Sequence, residues 1–284
     1  MNDFYFKKEK VLEIFDIIKN ELKSNKKTLE KAFKLDYKEW EYEIDFDRII
    51  NQIDSIKEKE YLPTFSKEKI IDGIGKICLI CNQNPYLIFN FILSSIYTNN
   101  KVEIVLEDKM LATNKALIEV IKKALKEAKA NKDILSYREL SNKDDIVSYQ
   151  DNYDLIYYFG NKASYINFTK RIHIDTKFEN FAEINLYYDS KEFKDIILEI
   201  DKWAYINEIK VNLYDSNVDE AIKHINKLNN TSIISIIFSK DMDKISKFIK
   251  EVKSEKIYVN SNFTKDYEVE VDLNNLVYRK TIKY

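Results

Sequence analysis

Residues 74–125 read IGKICLICNQNPYLIFNFILSSIYTNNKVEIVLEDKMLATNKALIEVIKKAL, and the order of apolar runs in them decides the fold class. Ile77 to Ile80 is a short apolar run opened by Gly73 and Gly75, which reads as the start of a buried strand. Asn84 before Pro85 has the form of an N-cap with proline at the first helical position, so a helix is expected from Pro85. Thr98-Asn99-Asn100 then turns the chain into a second strand, Val102 to Leu106; asparagine takes positive φ more readily than most residues and can serve such a turn without glycine. A helix from Asn114 to about Ala128 follows. Strand, helix, strand, helix with short connections is the pattern of βαβ units on a largely parallel sheet, an α/β fold.

The same alternation continues outward. Strands are expected at Ile134 to Tyr137 and Asp154 to Phe159, then a helix from about Asn161. A second series follows the strand Glu183 to Tyr188: helix Lys191 to about Trp203, strand Glu208 to Tyr214, helix Val218 to Leu228, strand Ser232 to Phe238, helix Met242 to Val252 and strand Lys256 to Val259. Upstream, Val11, Ile14, Phe15, Ile18 and Leu22, and later Ile44, Ile49, Ile53 and Ile56, fall at helical spacing, so two antiparallel helices should open the chain. Alternation at Tyr267, Val269 and Val271, and then Leu276 to Tyr284, suggests a terminal β tail. Its unpaired edge would close against another sheet or join a second subunit.

Composition excludes several classes. The 284 residues include only 3 Gly, where an average composition of about 7% would supply roughly 20. Neither G-x-G-x-x-G nor a Walker A loop occurs. Lys+Arg 46 against Asp+Glu 48 leaves a net charge of −2, so no global field draws the chain to nucleic acid or anionic lipid. No run approaches the roughly 18 apolar residues of a membrane span, and the start carries no signal-peptide core, so a cytoplasmic location is expected. Two cysteines, Cys78 and Cys81, make no disulfide framework. Their C-x-x-C spacing lies within a strand pattern, where positions i and i+3 face opposite ways, so they read as buried core thiols. With His173 and His224 as the only histidines, no metal site is expected. Lys122, Lys123, Lys126 and Lys129 read as a solvated helix face with Glu119 and Glu127 as helix-spaced partners.

Four blocks carry a resemblance. Residues 74–125 are similar to the first βαβ of the aldehyde dehydrogenase superfamily, with its proline turn, its asparagine-containing turn into an apolar strand and the following helix. Residues 154–170, DLIYYFGNKASYINFTK, resemble that family's second nucleotide-facing turn. The series from Val218 to Thr264, with D-E-A-I-K-H-I-N and V-N-S-N-F-T, and the closing L-V-Y-R-K-T-I-K-Y resemble gamma-glutamyl phosphate reductase, also called glutamate-5-semialdehyde dehydrogenase. The resemblance implies a helical lead-in at 1–66, a Rossmann-like nucleotide-binding domain at 67–175, a shortened catalytic-like α/β domain at 176–262 and a β tail at 263–284. The tail would be an oligomerisation strand, making a homo-oligomer.

The resemblance also implies where chemistry has gone. The superfamily attacks its substrate with a thiolate and passes hydride between the covalent intermediate and a nicotinamide. At the nucleophile's place this chain has Ile206, and no cysteine follows Cys81. No catalytic residue is therefore expected. On the cofactor side, Gly160 and Asn161 would hold a pyrophosphate at a helix N-terminus, and Glu107 would face the adenine ribose, favouring NAD over NADP because a carboxylate repels a 2′-phosphate. The expected function is a non-catalytic binding or scaffold protein. Two alternatives stay open: an active NAD(P)-dependent oxidoreductase, and a sensor that kept a nucleotide pocket.

Overall fold

The computed structural model describes residues 6–36, 44–66, 69–81, 84–107, 110–140, 143–160, 162–180, 183–206, 209–215, 217–227, 234–254, 256–262, 264 and 271–281. Two compact units divide the chain, the first formed by residues 1–159, 163–179 and 269–284 and the second by 160–162 and 180–268.

The first unit opens with α1 (Lys8–Ser24), α2 (Lys26–Asp36) and α3 (Phe46–Glu58). The five apolar positions that predicted α1 are all buried. Three helices stand where two were expected: α2 buries only Leu29, Ala32 and Phe33 among its lysines, too thin a stripe to read against a charged background. Next come β1 (Thr64–Phe65), β2 (Lys69–Gly73), β3 (Lys76–Ile80), α4 (Pro85–Tyr97), β4 (Lys101–Leu106), α5 (Leu111–Glu127), β5 (Leu135–Glu139), β6 (Leu155–Gly160), α6 (Lys162–Thr169) and β7 (Thr176–Asn180). Strands β5-β4-β3-β6-β7, in that order, make a five-stranded sheet, and β5, β4, β3 and β6 run parallel.

Helix α4 is buried along its whole length, which is why PYLIFNFILSSIY carries no charge. It packs against α1, α3 and α5, while α1 and α2 also pack on α5. Its N-terminus is as the sequence predicts: Asn84 Oδ1 accepts from the Tyr86 and Leu87 N–H groups at 2.9 and 3.1 Å, with Pro85 at the first position. Its far end turns through Asn99, which has φ 60°, so asparagine does take the left-handed conformation. Gly73 and Gly75 have separate reasons to be glycine. A Cβ at Gly73 would stand 2.4 Å from the Asn99 carbonyl oxygen, and Gly75 has φ +134° with the Asp154 carboxylate beside it.

The second unit holds β8 (Ile184–Tyr188), α7 (Lys194–Ile206), β9 (Val211–Tyr214), α8 (Val218–Lys227), β10 (Ile234–Phe238), α9 (Met242–Glu251) and β11 (Lys256–Val259). Its four strands are all parallel in the order β11-β10-β8-β9. Alternation along the strands sends Ile184, Leu186 and Ile236 to one face with Ile200 and Trp203 of α7, and Tyr187 and Ile237 to the other with Ile222 of α8 and Phe248 of α9.

The chain returns to the first unit as β12 (Val277–Thr281), antiparallel to β2 with Val277 opposite Gly73, in a three-stranded sheet β1-β2-β12. The expected alternation at Tyr267 and Val269 lies outside the described residues. No helix among the described residues is long and apolar enough to cross a membrane.

Candidate functional site

In an open parallel sheet, ligands bind beyond the carboxyl ends of the strands, where the winding order reverses. Here β4 and β5 are added on one side of β3, and β6 and β7 on the other, so the reversal falls between β3 and β6. Residues at that edge are Cys81, which follows β3; Asn84, which caps α4; Glu107, which follows β4; and Gly160, which ends β6. Glu107 is half-buried. Gly160 is also half-buried and lies in a strand, so no left-handed backbone demands a glycine there. Helix α6 starts at Lys162, two residues on, so β6 passes almost directly into a helix N-terminus. Asn161 lies outside the described residues. Glu107 thus follows β4 and Gly160 ends β6, strands that flank β3 in the sheet order.

One carboxyl of this sheet escaped the sequence reading. Glu179, near the end of β7, accepts a hydrogen bond from the Tyr157 hydroxyl of β6, and Asn275 Nδ2 donates to that same hydroxyl at 3.3 Å. Burial raises the Glu179 carboxyl above the usual carboxylate range and the charge of Asp272 adds to it, against the hydrogen bonds that lower it. Burial likewise raises Tyr157. Raised carboxyls of this kind occur at functional sites and also in buried structural pairs. It was missed because β7 was missed. The alternation of Thr176, Phe178 and Asn180 was the available signal.

Cys78 and Cys81 are not joined in a disulfide and are buried, at 0% and 3% exposure, as the spacing suggested. Burial pushes the Cys78 thiol far up, and the neighbouring Glu103 charge pushes the same way. A thiol so held stays protonated at neutral pH. Glu103 itself is 5% exposed and opposite Cys78 in register. Its carboxylate accepts from Tyr153 Oη at 2.6 Å, Arg138 Nε at 2.9 Å, Lys76 Nζ at 3.0 Å and Ser136 Oγ at 3.2 Å. Burial alone would raise this carboxyl; the bonds from Tyr153, Lys76 and Arg138 outweigh it and bring the pKa down to about 2.

The remaining sequence candidates are scattered. Ile206 is the last residue of α7. His173 pairs with Asp151 at 2.7 Å on the surface, and His224 is exposed on α8. Among the described residues no group of three or more His, Cys, Asp and Glu side chains is placed to hold a metal ion. The N-terminus of α5 is closed from a distance: Asp36, the last residue of α2, accepts from the Ala112 and Thr113 N–H groups at 3.3 and 2.7 Å and from the Thr113 hydroxyl at 2.6 Å.

No protein-family model matches the sequence. No curated protein matches it either. Solved structures do resemble it. A gamma-glutamyl phosphate reductase from Thermotoga maritima superposes with TM-score 0.61 at 13% identity, covering 98% of this chain and 93% of that one. The corresponding reductase from Saccharomyces cerevisiae gives 0.54 at 16% identity over 97% and 92%. A glyceraldehyde-3-phosphate dehydrogenase from Methanocaldococcus jannaschii, complexed with NADP, gives 0.69 at 14% identity over 98% and 90%. Taken with the two parallel sheets and the returning tail strand, these likenesses show that the chain has the aldehyde dehydrogenase fold, in the form shared with the gamma-glutamyl phosphate reductases, shortened to 284 residues.

Proposed function

We propose that this protein keeps the aldehyde dehydrogenase architecture without its covalent chemistry and acts as a binding or scaffold protein. The carrying observation is the state of the sulfur: the chain's two thiols, Cys78 and Cys81, are buried at β3, and no cysteine follows them. Where the resemblance puts the nucleophile stands Ile206, a hydrocarbon. Acyl transfer through a thioester has no attacking atom.

A dinucleotide suits what remains. Gly160 has no side chain to obstruct a pyrophosphate at the start of α6, and Asn161 would join it; Glu107, at the end of β4, would accept from a ribose 2′-hydroxyl and repel a 2′-phosphate. NAD is therefore favoured over NADP. A bound nicotinamide would supply hydride exchange; in this chain the residues named only hold and orient it. Strand β12 is at the outer edge of its three-stranded sheet with Tyr278 to Thr281 exposed, which supports assembly of copies through the tail. Two thiols outside any disulfide suit a reducing compartment, and we place the protein in the cytoplasm.

The second reading, an active NAD(P)-dependent oxidoreductase, is supported by Glu179, a raised carboxyl bonded to the Tyr157 hydroxyl, of a kind that functional sites contain. One experiment separates the two: titration with NAD, followed by assay of aldehydes including glutamate semialdehyde with NAD and NADP. Saturable NAD binding without turnover is the expected result. Reproducible turnover that disappears in Glu179→Gln establishes the second reading instead.

A further inference from the structure

At the opposite edge of the five-stranded sheet, β3 starts at Lys76, β4 at Lys101 and β5 at Leu135, and α5 ends at Glu127. A cavity of about 750 Å³ opens among these ends, lined by Lys76, Lys101, Lys122, Lys126 and Lys132, with Asp133 as the acidic residue in its wall. Its volume falls in the range of about 300 to 1,000 Å³ typical of small-molecule sites.

Two of the five ammonium groups are neutralised: Lys76 by Glu103 at 3.0 Å and Lys122 by Glu119 at 3.2 Å. Lys101, Lys126 and Lys132 make no ion pair or hydrogen bond with a described residue through their side chains. Helix capping does not account for them. The end of α5 is closed by its own backbone, with Lys129 at φ 54°, its N–H on the Lys126 carbonyl at 3.0 Å and the Ala130 N–H on the Leu125 carbonyl at 2.9 Å. Lys101 and Lys132, moreover, do not belong to that helix. Three like charges around one hollow raise the local positive potential and favour an anion there.

We infer that this hollow is a binding site for a phosphorylated small molecule carrying at least two negative charges. Its phosphates lie between Lys101, Lys126 and Lys132. The face expected to be merely solvated is, on this reading, one wall of a site. It is independent of the dinucleotide reading, which concerns the other edge of the sheet.

Inorganic pyrophosphate is the probe, titrated into the full chain by calorimetry. Saturable binding is expected, weaker by about tenfold or more in the combined variant Lys101→Gln, Lys126→Gln, Lys132→Gln, the effect of losing a charge-assisted hydrogen bond. A control variant with the same loss of charge elsewhere, Lys223→Gln, Lys227→Gln, Lys250→Gln, should bind as the parent does. Amide resonances in wild-type protein give a second measurement that needs no variant: those of Lys101, Lys126 and Lys132 should shift on titration. Absence of saturable binding, equal loss in both variants, or shifts centred on Gly160 instead would overturn the site.

Discussion

The hydroxyl of Tyr153 donates to the carboxylate of Glu103 at 2.6 Å, across a sheet in which Glu103 and Cys78 are register partners. Four donors converge on that one carboxylate, so its charge is held inside the sheet instead of in water. The arrangement explains both the depressed carboxyl and the inert thiol beside it, and it makes the first unit sensitive to acid.

Glu103 has its pKa lowered from 4.5 to about 2, so its stabilising effect is fully present above pH 4.5 and is lost as the pH falls towards 2. A shift of that size corresponds to about 3 kcal/mol. Denaturant midpoints measured between pH 5 and pH 2 should fall steeply in the parent chain and less steeply in Glu103→Gln, which should also be the less stable protein at pH 7.

Both thiols should resist iodoacetamide while the protein is folded and react fully once it is unfolded, since Cys78 and Cys81 are buried. Alkylation rates across a urea series check this. Fast labelling of Cys81 in native buffer would contradict that burial.

Gly73→Ala should cost about 3 kcal/mol, the upper end of what overpacking costs, because the new methyl meets backbone carbonyls of Thr98 and Asn99 instead of a yielding side chain. The same change loosens the pairing of Gly73 with Val277, so hydrogen exchange in Val277 to Thr281 should accelerate along with the drop in urea midpoint.

Asp36→Ala removes the oxygen atoms that close α5, and a lost N-cap typically costs about 1 kcal/mol. Thermal unfolding of this variant and of Asp36→Asn should show a loss in the first that the second partly restores.

Elements with one dominant signal were legible from residue order. The buried strand Ile77 to Ile80, the Asn84-Pro85 start and the left-handed Asn99 all follow from local chemistry, and the parallel sheet follows from their alternation. What escaped is short or depends on distant partners. Strand β2 is paired on one side by the returning β12 and on the other by the two-residue β1, and β7 is an edge strand of polar alternation. The Glu103 network draws on β3, β4, β5 and the approach to β6, so no single window of sequence contains it. That Glu107 follows one strand and Gly160 ends another could be read from the alternation; Glu179 could not be singled out, because its partner, the Tyr157 hydroxyl, comes from another strand.

Helix α4 has no solvent-facing side. On most helices half the surface is free to wander over evolutionary time while the other half is pinned by packing. Along residues 85–97 that freedom is missing, so every replacement must find room among neighbours on all sides. This inner rod should be the slowest-drifting stretch of the molecule, and the first place to look when tracing its ancestry.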